Sequence, residues 1–352
     1  MIIVQDRIAV AATDLPKLRT LLERQYLPDA RARGLVPLDS GVSPPLTLAD
    51  EPCVFWLRWR LDDVGAFWTA RGMAAGNPSV AAFWQEVDRF CAWRQREFLR
   101  PDGFDGQPLP EPASVAPFLT QPDGWRETAQ LHLRPEADRA DRDALEAALS
   151  AAGRLPGVRR AHLAENIDVR FGAGHYTWDV CYESAGAAQA ARASDQWRQT
   201  LAPLLDRLLA AFEPVALENV GAGSRRPDLR AGIKRTALFR LLPDVSAERR
   251  SRFERELLAM PEYIPEILNW RLSRASAATE AARPDWSYVW EQEYADLAGL
   301  NGAYMVHPYH WAYLDGCFDP ESGRQIIDGR MCHAYCPMDS GILGAEGNPA
   351  PQ

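Results

Sequence analysis

Near the end of the chain stands YMVHPYHWAY, from Tyr304 to Tyr313. It carries two of the six histidines, His307 and His310, with Pro308 between them and Tyr304 three residues before the first. Pro308 has no N–H and pushes the preceding Val306-His307 pair away from a regular turn. A neutral imidazole can accept a proton near pH 7. A phenol can hydrogen-bond a carbonyl or a developing enolate. Together they suit enolisation, aldol closure or the reverse cleavage. Two histidines at i and i+3 could instead share a metal ion. Asp315 is close in sequence, and the tail MCHAYC adds Cys332, His333 and Cys336. The third reading is plain capping and packing.

Other polar candidates lie upstream. Arg235 is a permanent fork of donors, suited to a carboxylate or phenolate, or to a salt bridge with Glu291 or Glu293 on a neighbouring strand. Trp270, Trp286, Trp290 and Trp311 could wall an aromatic pocket, and strand alternation puts Trp286, Tyr288 and Trp290 on one face. His132, His162 and His175 stand alone on strands and read as core or surface residues. The GAG at Gly221 is no dinucleotide fingerprint, because the third glycine is missing at the required spacing.

The elements that must position these groups repeat. RETAQLHLRP (126–135) and KRTALFRLLP (234–243) share a T-A-x-L core at one distance from a closing proline. An acidic, alanine-rich helix follows each. In DRDALEAALSAAG, Leu145, Ala148, Leu149 and Ala152 share a face and Gly153 suits the C-terminal cap. In SAERRSRFERELLAM, Ser246 suits the N-cap, and Phe253, Leu257 and Met260 form the stripe. A proline turn (LPGV, IPEI) and two strands come next. The first hundred residues follow the same order more loosely. IIVQDRIAV reads as a strand and TDLPKLRTLLERQYL as a helix. EPCVFWLRWRL reads as an alternating strand, and SVAAFWQEVDRFCAWRQREFL as a closing helix.

The order β–α–β–β–α thus appears three times, which predicts an α+β chain of three tandem ferredoxin-like units with antiparallel sheets packed face to face. The expected boundaries are unit 1 at 1–100, a proline-rich linker at 101–124, unit 2 at 125–220, a linker at 221–232, unit 3 at 233–327 and an extension at 328–352. The end of that extension reads as partly disordered. Three sheets leave an odd face, which predicts either pairing with a second chain, a homodimer, or an asymmetric packing of the three units.

Composition narrows the partners. The 352 residues carry a net charge of −9 with no basic stripe, so nucleic acid is not expected. No apolar run reaches the length of a membrane span, and the N-terminus lacks a signal peptide's basic start, so a cytoplasmic protein is expected. The six cysteines show no paired spacing and read as free thiols.

The third unit resembles the stress-responsive A/B barrel (Dabb) family of dimeric α/β barrels, to which a plant polyketide cyclase belongs. The matching stretches are IKRTALFRLLPDVSAE, LLAMPEYIPEILNWRLSR and YMVHPYH, from Gly232 to about Ile327. The family pattern is a strand opening Ile-Lys-His, a helix, an Ile-Pro-Gly turn and a late His-Pro-x-His. The resemblance implies a cofactor-independent enzyme that needs no metal. It implies Tyr304 and His310 as the acid–base pair, with His307 orienting or sharing the proton. The family's first-strand histidine is Arg235 here, and its third-strand histidine falls near Tyr288, so the polar lining differs. The expectation is a lyase or cyclase of aldol, retro-aldol or elimination type acting on a small aromatic, phenolic or polyketide-like molecule. The alternatives are a cofactor-free monooxygenase of the same superfamily and a non-catalytic ligand-binding or stress-response protein. The expected substrate contacts are Arg235, Tyr288, Trp286, Trp290, Trp270 and Trp311.

Overall fold

Side-chain alternation decides the first sheet. Val4, Ile8 and Val10 of β1 (Ile2–Val10) and Phe55, Leu57 and Trp59 of β3 (Cys53–Leu61) are buried, and their strand neighbours are mostly half-exposed. The computed structural model describes the chain except residues 47, 49–50, 101–117, 121–123, 213, 279–284 and 345–352. Most of the expected linker at 101–124 and the end of the tail therefore lie outside the described residues. The chain forms two compact units, Met1–Glu111 with Met305–Gly329, and Pro112–Tyr304 with Arg330–Gln352.

In the first unit β2 (Val36–Ser43) and β4 (Cys91–Leu99) complete a four-stranded antiparallel sheet of order β2-β3-β1-β4. This is the ferredoxin-like order. Helices α1 (Leu15–Leu21), α2 (Leu27–Ala32), α3 (Val64–Ala75) and α4 (Pro78–Asp88) belong to the same unit. Asp63 and Asn77 cap α3 and α4 through their side chains. The core holds Ile8, Leu18, Leu22, Tyr26, Trp59, Phe83 and Trp84. One expectation is corrected here. CAWRQREFL is β4, not the end of a helix. The helix stops at Asp88, and β4 pairs with β1 along its length, bonds that outweigh the local helical pattern.

A second polar core sits among these apolar groups. The Glu321 carboxylate receives both terminal nitrogens of Arg33 at 3.0 and 2.9 Å, the Tyr26 hydroxyl at 2.5 Å and Arg96 at 2.8 Å. Arg96 also donates to both oxygens of Asp6, and Arg71 donates to Asp315. Asp319 is held less tightly, 3.8 Å from Arg71 and 3.9 Å from Arg96. Burial, with the Glu321 charge adding to it, pushes Asp319 up to about 6. The three arginines, Asp319 and Glu321 line a cavity just large enough for a water molecule.

The second unit contains the other two repeats. The first supplies β5 (Phe118–Thr120), β6 (Trp125–Leu133), α5 (Arg139–Ala152), β7 (Val158–Glu165), β8 (Tyr176–Tyr182), α6 (Ala185–Ala193), α7 (Ala202–Leu208), β9 (Leu209–Phe212) and β10 (Val215–Ser224). The other supplies β11 (Arg230–Leu241), α8 (Ala247–Tyr263), β12 (Asn269–Ala277), β13 (Tyr288–Tyr294) and β14 (Ile327–Ser340). As expected, Ser246 caps α8 by accepting from the Arg249 N–H. One ten-stranded sheet runs β14-β11-β13-β12-β10-β6-β8-β7, with β5 paired to β10 and β9 to β6. Backbone bonds from Ile167 to Tyr335 and from His333 to Phe171 tie its two ends, so the sheet curls on itself. Every residue of β8 and β13 is buried, as a sheet covered on both faces requires.

Two further corrections concern the ends of the third repeat. Residues 221–224, expected in a linker, are the last turn-free residues of β10. Their glycines are demanded by packing: a Cβ on Gly223 would stand 2.1 Å from the Trp270 ring, and one on Gly221 would stand 2.8 Å from Leu258 of α8. Residues 328–340, expected in the extension, belong to β14 beside β11. Its alternation of buried and less buried residues is the sheet's own period. Gly223→Ala is expected to destabilise the second unit by about 1–3 kcal/mol through overpacking. A lowered denaturant midpoint with unchanged slope would record it.

Candidate functional site

Four strands of the second unit carry one row of side chains. The register pairs Trp270 of β12 with Gln292 of β13, and Gln292 with Arg235 of β11. Arg235 then reaches His333 of β14. Its guanidinium donates to Gln292 Oε1 at 2.7 Å and lies 2.8 Å from His333 Nδ1. Gln292 Nε2 approaches the Met260 sulfur of α8 at 3.9 Å, which puts this row on the face under that helix. The Tyr304 ring covers Arg235 at 5.2 Å, and Tyr294 meets Tyr304 edge-on at 6.0 Å.

The electrostatics follow from burial. Burial first, and the Arg235 charge second, push His333 down to about 3, so it is neutral at pH 7. Burial raises Tyr294 well above the usual phenol range, with the Tyr304 phenol next in effect. Three donors on the helix-facing side, Tyr294 Oη and the indole nitrogens of Trp270 and Trp290, are buried without a hydrogen-bond partner among the described residues. Buried donors left unmade carry a desolvation penalty of about 1–3 kcal/mol each. A fixed cation, a neutral imidazole, two phenols and unused donors can receive the oxygens of a flat, anionic or polarised molecule.

The other expected site residues stand elsewhere. Tyr288 donates to Glu254 of α8 at 2.7 Å, and Arg274 grips the same carboxylate, so Tyr288 fastens the helix to the sheet. Trp286 lies outside β13, with Arg330 over its ring at 5.2 Å, and packs with the inward-facing Val289 and Cys332. The expected shared face with Tyr288 and Trp290 is corrected: the strand begins only at Tyr288.

The YMVHPYH motif spans the boundary between the units. Tyr304 closes the second, while His307 and His310 belong to the first. There His310 lies 5.0 Å from the Trp68 ring, and Trp68 donates to the Met305 carbonyl. His307 Nδ1 accepts from the Tyr309 N–H, a local cap. Trp311 donates to the Val306 carbonyl and packs on Phe67 and Phe98.

In the tail, Cys336 lies 3.7 Å from His162 and Cys332 packs inward, whereas His333 faces Arg235. The three do not converge. Burial pushes both thiols up to about 12. Among the described residues no three metal-binding side chains gather. Gln292 and His333 were not expected at the site. His333 stood in the sequence only as a tail histidine, and nothing local links it to Arg235, 98 residues away.

Residues 233–335 match the model of the Stress responsive A/B Barrel Domain. No curated protein matches the chain. Among solved structures, an anthrone oxidase-like protein aligns at 9% identity over 65% of this chain and 96% of its own, with a TM-score of 0.47. A candidate monooxygenase of Fusobacterium nucleatum aligns at 11% identity over 65% of this chain and all of its own, with a TM-score of 0.44. A NIPSNAP domain protein of Burkholderia xenovorans aligns at 20% identity over 30% of this chain and all of its own, with a TM-score of 0.25.

Proposed function

We propose, with residues 233–335 read as a stress-responsive A/B barrel domain, that this domain binds a small aromatic, phenolic or polyketide-like molecule and performs cofactor-independent acid–base chemistry on it. The reaction is a lyase or cyclase step of aldol, retro-aldol or elimination type. In this reading the units at 1–100 and 125–220 are companions that carry no reaction centre of their own. The observation that carries the proposal is the Arg235 row: a buried cation beside a neutral imidazole, roofed by Tyr304 and flanked by unused donors.

The chemistry follows from charge. An enolate or phenolate oxygen placed at Arg235 is stabilised by the permanent charge, and Tyr304 donates a proton or hydrogen bond to a second oxygen. Burial is the larger cause of the His333 depression and the Arg235 charge the smaller; the anion offsets the second, which raises the imidazole's basicity. His310, the proton-mover implied by the motif, belongs to the first unit, and the proposal rests on the second unit's own residues.

Salicylate is the first probe, since it carries both an anionic carboxylate and a phenol. It should quench tryptophan fluorescence of the full chain. Arg235→Met should weaken binding at least about tenfold, the loss of one charge-assisted hydrogen bond. The same variant should raise the His333 titration above 3 by NMR. Unchanged salicylate binding in Arg235→Met would sink the proposal. Once a substrate is found, Tyr304→Phe should lower turnover by about 10²–10³, and His333→Gln tests the base. A cofactor-free monooxygenase is the second reading, because Arg235 would equally hold the phenolate that reacts with oxygen. Incorporation of label from ¹⁸O₂ into product separates the two.

A further inference from the structure

The inward face of the ten-stranded sheet holds a different cluster from the row at Arg235. Arg126 of β6 grips Glu291 of β13 with both terminal nitrogens at 2.9 Å. Lys234 of β11 lies 3.0 Å from both Asp179 of β8 and Glu291, and donates to Thr236. All four charged groups are buried, and two cations face two anions.

Arg271 of β12 is a third cation on this face, only 4% exposed. Its hydrogen bond is a long one of 3.5 Å to the Leu217 carbonyl. Among the described residues no carboxylate lies within ion-pair distance of it. The groups acting on its charge, after burial, are Arg126, which repels it, Glu291, which Arg126 and Lys234 already hold, and the Cys181 thiol. Guanidinium groups do not shed their proton at neutral pH, so the excess charge stays.

The Asp179 oxygens also lack a hydrogen bond, but they stand at ion-pair distance from Lys234 and Arg126, and the other unused atoms of this face carry donors. Arg126 Nε, Arg271 Nε, Ser273 Oγ and Thr128 Oγ1 are all buried without a partner among the described residues. Arg271 and Ser273 sit two apart on β12, and Arg126 and Thr128 two apart on β6, so each pair points to one side of its strand. A single strand, β10, separates β6 from β12. Two like charges and a set of unanswered donors, all removed from water, call for an acceptor of negative charge. A water molecule would answer the donors and leave the charge.

We propose that the interior of the second unit binds one small monovalent inorganic anion, of chloride size, between Arg271 and Arg126 with Ser273 beside it. This site is independent of the function proposed for the Arg235 row. Its anion is a structural ligand that turns the Arg126–Arg271 repulsion into a bridge.

The test uses the full chain. Melting temperature is followed as sodium chloride replaces sodium gluconate at constant ionic strength, and a crystal soaked in bromide is searched for anomalous scattering. The expected result is a saturable rise in melting temperature with chloride and a bromide peak against Arg271. Arg271→Met, which removes the unbalanced charge, should abolish the chloride response while remaining at least as stable as the parent in gluconate. Ser273→Ala should fold normally and shift half-saturation about tenfold upward. The absence of a chloride-specific shift in the parent would overturn the proposal. So would a chloride response that persists in Arg271→Met, or that Ser273→Ala leaves unmoved with no bromide peak inside the barrel.

Discussion

Glu321→Ala is expected to destabilise the first unit by about 3–5 kcal/mol, the loss that follows when one partner of a buried ion pair is removed. Glu321 is the hub of that unit's polar core. It holds Arg33 through two bonds, Arg96 through one and the Tyr26 hydroxyl through another. Without it, Arg33 keeps only Asp29 and Arg96 keeps Asp6, while Tyr26 loses its acceptor. Hydrogen exchange of the β1, β3 and β4 amides reads the first unit apart from the second. Exchange free energies within about 1 kcal/mol of the parent would show the network to be dispensable.

The same core sets an acid-side and a neutral-side dependence on pH. Burial opposes the Glu321 charge, but Arg96 and Arg33 outweigh it and hold the carboxyl well below its usual range. Its contribution is present above the unfolded value of about 4.3 and is lost as pH falls toward the folded value. Asp319 has the opposite sign. With a folded value of about 6, its protonated form contributes fully below about 3.9, and that contribution is lost as pH rises through 6. The first unit should therefore lose on the order of 2–3 kcal/mol between pH 4 and 7 from this group. Asp319→Asn, which fixes the neutral form, should flatten that limb and stabilise the unit at pH 7. An unchanged pH profile in Asp319→Asn would remove Asp319 as the cause.

The second large effect is expected at Glu291. Glu291→Gln should destabilise the second unit by about 3–5 kcal/mol. Burial alone would raise this carboxyl, but Arg126 and Lys234 hold it down to about 2. The change leaves Arg126 without its bidentate partner and Lys234 with Asp179 alone, beside an Arg271 that already lacks a counter-charge. Because the burden is the unpaired cation, Lys234→Met combined with Glu291→Gln should be less destabilising than the sum of the two single changes. A double-mutant cycle measures this coupling. Strictly additive losses would mean that the pair contributes no interaction of its own.

Much of the fold was legible. The shared T-A-x-L strand with its closing proline marked the repeats, alternation in EPCVFWLRWRL marked β3, and Ser246 marked the start of α8. These signals are local, set by periods of 2 and 3.6 residues and by one capping side chain. The misreadings were also local. CAWRQREFL follows an amphipathic helix without a glycine or proline to stop it, and only pairing with β1 makes it a strand. The glycines at 221 and 223 look like linker residues, yet they are flat places where Trp270 and Leu258 lie on the sheet.

The site was legible in part. Arg235 and Tyr304 stand out by type and motif, and the structure brings them together. Gln292 and His333 could not be found from spacing, since 57 and 98 residues separate them from Arg235. The arginines of the first unit meet Asp315, Asp319 and Glu321 across more than two hundred residues of chain. The amino-acid order by itself determined which segments are strands or helices, and that they repeat. Which charges share a desolvated interior, which are left without a partner and which residues join across one row depended on how the sheets close. Coulomb and hydrogen-bond energies depend on distance in space, and that distance is fixed only when the sheet has curled.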